Sequence, residues 1–207
     1  EWVLSNGFRD AIESVSVFLE SANRVLSIWE LIEKQNSGAT ITGDEWNQIF
    51  QDVGNKFHRL GLPDKLEHIS KNHGIDVKES LNEQILSINI ARNCFVHRSG
   101  IVSDKDLNTD SSLRVKWSRL HTFLQNDGGE QDLIPGMLVE KESTVCVRFD
   151  ENEKSFSLNE QLSFTVEEMS EILWCLFLFG NDLVANISKH GEEKGFVQPP
   201  ESSSALK

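Results

Sequence analysis

The chain has 207 residues, 38% of them hydrophobic and 26% charged, so it can bury a core and is not globally disordered. Its 20 basic and 33 acidic residues give a net charge of −13, which excludes a generic basic coat for nucleic acid or anionic membrane but not a local basic patch. Three scattered cysteines, Cys94, Cys146 and Cys175, form no CxxC pair. A structural zinc site and a disulfide framework are therefore not expected, and a reducing, cytoplasmic setting is.

Apolar residues from Leu4 through Phe8, Ile12, Val15 and Leu19 to Ile32 recur at helical spacing and predict a long helix over 3–34, closed by Asn36-Ser37-Gly38. Thr42-Gly-Asp-Glu45 has the form of a capping box, in which the hydroxyl takes an orphan amide and the glutamate reaches back. It opens a helix to about residue 60, stopped by Gly61-Leu62-Pro63, and a short helix follows over 64–72. Ser80-Leu-Asn-Glu83 predicts a second box and a helix to about Arg98, with Gly100 as its stop. Thr165-Val-Glu-Glu168 predicts a third, opening a helix over about 166–189.

Between 113 and 163 the period changes from helical to alternating. Leu113, Val115 and Trp117 alternate with polar residues, as do Val145, Val147 and Phe149, with turn-like Asp127-Gly128-Gly129 and Asp150-Glu-Asn-Glu153. Two hairpins or one small antiparallel sheet are predicted. Residues 192–207, with Pro199-Pro200 and Ser202-Ser203-Ser204, read as a flexible tail. The longest apolar run, Ile172 to Phe179, is shorter than the ~20 residues a bilayer requires, so no membrane is expected as a partner.

The helix from Leu81 to Arg98 is apolar over most of its circumference, as a central helix is. Arg92, Asn93 and His97 each stand seven residues after an apolar one, within about 20° of it. They are therefore expected to face protein rather than bulk water. Arg92 and His97 lie about 140° apart around the axis, whereas Asn93 and His97 share a face. One copy of the helix frames a cleft poorly; two facing copies frame it well.

Arg92-Asn93-Cys94-Phe95-Val96-His97, followed by Gly100 and Val102, resembles the Arg-x(4–6)-His signature of HEPN domains, in the version with Asn after the Arg. The resemblance covers about residues 1–110 and 166–190. It implies a mainly α protein, a HEPN-like antiparallel helical bundle, and the small antiparallel β insert before the last long helix falls outside the minimal fold. The domain reading is one HEPN-like domain over 1–191, with its helical core at about 3–100 and 166–190 and its insert at about 113–163. The resemblance further implies a homodimeric, metal-independent endoribonuclease of defence or toxin–antitoxin systems, with Arg92 and His97 catalytic, Asn93 supporting them, and a regulatory or antitoxin partner. The position two after His97 is Ser99 and the chain has no Tyr, which speaks against regulation through a tyrosine there.

The residue types suit that chemistry. RNA is cut without metal when its 2′-hydroxyl attacks the adjacent phosphate. The step needs a base, an acid, and a cation at the phosphoryl oxygens. An imidazole titrates near neutrality and serves as base or acid, and a guanidinium fork suits phosphoryl oxygens. Two motifs across a dimer cleft would supply both proton-transfer groups, leaving 2′,3′-cyclic phosphate ends. No cofactor or metal is expected.

Residues 92–119 hold six basic and three acidic side chains, against −16 for the remainder. Arg98, Lys105, Arg114, Lys116 and Arg119 are therefore candidate RNA contacts. Trp117 reads as a core strand residue before it reads as a stacking surface, and Cys94 as packing. His58, His68 and His73 with Asp64 and Glu67 match no ordinary ligand spacing and read as a solvated helix face. Two alternatives stand beside the ribonuclease: a non-catalytic HEPN-like dimerisation or interaction module, and, ranked lower, an acidic protein that binds a basic partner.

Overall fold

The computed structural model describes residues 2–126, 129–134, 136–138 and 143–198. Its elements are α1 (Trp2–Asn36), α2 (Gly43–Asn55), a 3-10 turn (Phe57–Arg59), α3 (Leu62–His73), α4 (Glu79–Arg98), β1 (Ser112–Asn126), β2 (Gly129–Asp132), β3 (Thr144–Ser157) and α5 (Val166–Glu193). The chain divides into two compact units, one of residues 1–11 and 80–178, the other of 12–79 and 179–207.

Two of the three capping boxes form. The Glu45 N–H donates to Thr42 Oγ1 at 3.3 Å while the Thr42 N–H donates to Glu45 Oε2 at 2.7 Å. Thr165 and Glu168 repeat the exchange at 3.2 and 2.7 Å. The box at Ser80 does not form, because α4 already begins at Glu79 and Glu83 reaches Lys116 instead. The preceding Lys78 N–H donates to Asp182 Oδ2 at 3.1 Å, so a distant carboxylate serves this helix start.

The expected mainly α bundle with a small insert is not what the chain adopts. It is about 56% helical with a three-stranded antiparallel sheet, a mixed α/β fold. The sheet has the order β2-β1-β3, and β1 pairs with β3 from Ser112↔Ser157 to Gln125↔Thr144. Leu113, Val115, Trp117 and Phe156 are each 1% exposed or less, so the sheet is a core layer of its unit rather than an appendage. Helix α4 lies against the edge of β1. The Ser87 hydroxyl accepts the Lys116 N–H at 2.9 Å and donates to the Lys116 carbonyl at 3.3 Å, covering an otherwise open strand edge. Beyond this core β3 forms where a strand is predicted, but Val145, Val147 and Phe149 are exposed, so their alternation marks no buried face.

In the second unit, Ile12, Leu19, Leu26, Ile69, Phe179 and Leu183 are buried. Lys65, 1% exposed, donates to Ser16 Oγ and Glu20 Oε1, both at 2.6 Å. The histidine-bearing helix face is not uniformly solvated. His73 is buried, its ring nitrogens 2.7 Å from Glu30 Oε1 and 2.9 Å from Asn23 Oδ1, whereas His58 is exposed beside Glu20. Among the described residues no group of His, Cys, Asp and Glu is arranged to hold a metal.

Helix α5 is longer than the apolar run foresaw, and by length and composition alone it could cross a membrane; 28% of its apolar stretch is buried. The core helix of a soluble protein passes the same test. Phe196, in the expected tail, stacks on Trp29 at 5.4 Å between ring centroids. Pro199-Pro200 and the serines beyond, like Asp127-Gly128, lie outside the described residues.

Candidate functional site

The candidate site lies on the last two turns of α4, in the first unit. Ala91 and Cys94 are buried and anchor the helix, while Arg92 and Asn93 are half-buried beside them. Arg92 Nη1 donates to Asn93 Oδ1 at 3.0 Å, so these two predicted residues are brought together. Burial lowers the Arg92 pKa, and the positive charge of Arg9 on α1 lowers it further. Phe8, next to Arg9, meets Phe95, three residues after Arg92, at 5.5 Å between ring centroids, so the helix segments that carry the two guanidinium groups adjoin. A guanidinium stays protonated in proteins, so Arg92 remains a cation.

His97 is exposed, which corrects the expectation that all three polar residues face protein. The apolar stripe it continues has faded by the final turn: Ile90 is only half-buried and Val96 is 40% exposed. Among the described residues His97 makes no hydrogen bond or ion pair, and it is not bonded to Arg92. The two diverge by about 140° around the helix axis. A single copy thus offers a free imidazole and a separate cation pair.

Helix α4 ends sharply. Ser99 and Gly100 are both left-handed, at φ 53° and 78°, and the Gly100 N–H donates to the Cys94 carbonyl at 3.1 Å. The predicted stop is therefore a two-residue turn. The left-handed φ of Gly100 favours glycine, and a Cβ there would also lie 3.1 Å from Phe95 Cδ1 and displace the Gln161 amide. The turn is tied to the strand-to-helix loop, since the Leu162 N–H donates to Gly100 O at 2.8 Å and Gln161 Nε2 to Ser99 O at 3.2 Å.

Most of the predicted RNA-contact cations are engaged within the chain. Arg98 makes a two-point ion pair with Asp106, with Nε to Oδ2 at 2.6 Å. Burial alone would raise the Asp106 pKa, but Arg98 and the Ser103 N–H and hydroxyl outweigh it and hold the carboxyl below its usual range. Arg114 faces Glu153 at 3.7 Å, Lys116 lies between Glu83 and Glu151 at 3.4 and 3.6 Å, and Arg119 meets Glu171 at 3.2 Å. Lys105 is exposed with no ion pair among the described residues.

Trp117 is a core residue, its Nε1 donating to Glu171 Oε2 at 2.7 Å. His121, further along β1, sits 2.9 Å from both Asp150 and Asp132. Burial, with the Asp106 charge next, pushes the Cys94 thiol up to about 11, so it is a packing residue and no nucleophile.

The sequence reading missed two residues. Arg9 sits on an amphipathic helix face where nothing marks it as a neighbour of Arg92. Asp106 carried a local signal, because Ser103-x-x-Asp106 is the spacing at which a side chain closes its own turn: the Ser103 N–H donates to Asp106 Oδ2 at 2.9 Å. Comparison with protein-family models, curated proteins and solved structures finds no match for this chain.

Proposed function

We propose that the chain is a metal-independent endoribonuclease acting as a homodimer, in RNA degradation of the defence or toxin kind and in a cytoplasmic setting. The observation that carries this reading is the exposure of His97, five residues along the same helix from the half-buried Arg92–Asn93 pair. An imidazole open to solvent can exchange protons with substrate. Arg92, with Arg9 beside it, offers positive charge to phosphoryl oxygens. Their divergence around the helix is the reason for two copies, because a second motif facing the first supplies the partner acid or base.

In this reading one His97 takes the proton of the 2′-hydroxyl, whose oxygen attacks phosphorus. The P–O5′ bond breaks, and the other His97 protonates the leaving 5′-oxygen. Arg92 stabilises the phosphoryl oxygens and Asn93 holds its guanidinium. The products carry 2′,3′-cyclic phosphate and 5′-hydroxyl ends. The test is an RNA oligonucleotide with 2′-deoxy sugars placed one position at a time. Cutting is expected to stop at each deoxy position, and cutting 3′ of a deoxy sugar would sink the mechanism.

A second reading, a non-catalytic interaction module, is favoured by one observation: Arg98, Arg114, Lys116 and Arg119 are all matched by acids of their own chain. A cation already paired gains less from a phosphate. Both readings use a dimer, so oligomeric state does not separate them, but only the ribonuclease requires two His97 side chains to face one cleft. Mixed dimers of wild type and His97→Ala should then lose most activity per dimer.

A further inference from the structure

Beside the motif, in the same unit, lies a half-open cavity of about 580 Å3. This is within the range of about 300–1,000 Å3 that small-molecule sites occupy. Its apolar wall is aromatic: Phe8 and Phe164 stack at 5.5 Å between centroids with their planes only 13° apart, and Phe95 meets Phe8 edge-on at 5.5 Å. Its rim carries Asn6, Ser99 and Gln161, which are neutral donors and acceptors. Among the described residues no charged side chain lines it. The chemistry is that of a planar, uncharged, hydrogen-bonding ring rather than of an acid, an amine or a lipid tail.

The cavity continues the Arg9–Arg92 neighbourhood. On α4, Arg92, Phe95 and Ser99 follow at i, i+3 and i+7, along one face. On α1, Asn6 and Arg9 follow at i and i+3. Each arginine is thus three residues, about 4.5 Å along its axis, from a residue that lines the cavity. Arg9 also contacts its neighbour Asp10 at 3.1 Å, an exposed pair of the kind that contributes little. Ser99 is held in a left-handed conformation at the rim, at φ 53°, by the bond from Gln161. Such backbone strain gathers where a site is built.

From this juxtaposition we infer that the cavity receives an unpaired nucleobase of single-stranded RNA while Arg9 and Arg92 hold the adjoining phosphate. The inference rests on the ribonuclease reading for its substrate class but not for its test, because binding is measured without cleavage. The base enters against Phe95, and the Asn6 and Gln161 amides meet its polar edge. The paired cations of β1 take no part.

The probe is a fluorescent single-stranded 2′-O-methyl RNA decamer, which cannot be cut by 2′-hydroxyl attack, followed by anisotropy in EDTA. Ser163→Trp and, on a different element, Ser5→Trp both place an indole in the cavity. Circular dichroism melting identifies any variant that is not folded. Each folded variant is expected to bind the decamer about tenfold more weakly than wild type. An abasic site walked along the decamer should weaken wild type at one position and leave the folded variant unaffected there. Wild-type affinity in both variants, or no binding of the decamer by wild type at all, overturns the inference. Cleavage lost in His97→Ala but unchanged in both tryptophan variants would keep the ribonuclease and discard the base site. Tight decamer binding that the tryptophans abolish, with no cleavage by wild type, would do the reverse.

Discussion

Arg98, the last residue of α4, and Asp106, in the loop beyond, hold each other by two hydrogen bonds, and the Asp106 side chain is completely buried. The pair fixes the motif helix to the chain that leads into β1. Its guanidinium is therefore structural, although its position just after His97 marks it as an RNA contact in the sequence.

Arg98→Ala should destabilise the protein by about 3 kcal/mol, because it strands a buried carboxylate. The pH dependence has a defined sign. The folded Asp106 carboxyl sits below its ordinary 3.8, so its contribution is complete above that value and is lost as pH falls through the folded pKa. Urea unfolding should show the gap between wild type and Arg98→Ala at pH 7 and its narrowing below about pH 4. A gap independent of pH would contradict the ion pair.

The helix starts offer a paired test. Thr165→Ala and Thr42→Ala should each cost about 1 kcal/mol, since each removes a side-chain cap. Ser80→Ala should cost nothing and stabilise by up to about 0.5 kcal/mol, since alanine is the better helix former at a position that caps nothing. Denaturant midpoints of the three variants decide it, and equal losses would contradict the placement of the α4 start at Glu79.

The helices were legible because periodicity and caps are local. The start of α4 was not, because its cap comes from Asp182, a residue 104 positions from Lys78. The strands were legible at Leu113, Val115 and Trp117, but the sheet's weight in the fold was not. Alternation shows that a strand has two faces; it does not show that α4 closes its edge through Ser87. For the site, the motif helix could be read from periodicity, but the Arg92–Asn93 contact could not, because neighbours at i and i+1 do not share a helix face and spacing pairs Asn93 with His97 instead. The exposure of His97 could not, since a stripe of apolar residues does not say where its cover ends. The carboxylates that meet Arg114, Lys116 and Arg119 come from β3, α4 and α5, and no pattern along the chain announces them.

Ser87 is buried and is the only group among the described residues that serves the Lys116 N–H at the β1 edge. Ser87→Ala should therefore destabilise by about 1–3 kcal/mol, the cost of leaving a buried backbone donor unsatisfied. The urea midpoint should fall with an unchanged slope. Wild-type stability would show that water reaches this edge.

The paired cations should be nearly silent toward nucleic acid. Arg119→Ala is expected to change the affinity for single-stranded RNA less than twofold, while Arg92→Ala weakens it about tenfold and flattens its salt dependence. Anisotropy titrations across a salt series give both quantities. An Arg119 effect as large as that of Arg92 would show that its bond to Glu171 opens for RNA.

The central claim is tested most directly by incubating a mixed RNA pool in EDTA with wild type and with His97→Ala, each verified as a folded dimer. Wild type is expected to cleave the pool regardless of the chelator, and the variant to lose that cleavage by about a hundredfold or more. Equal cleavage by both proteins, or none by wild type, would contradict it.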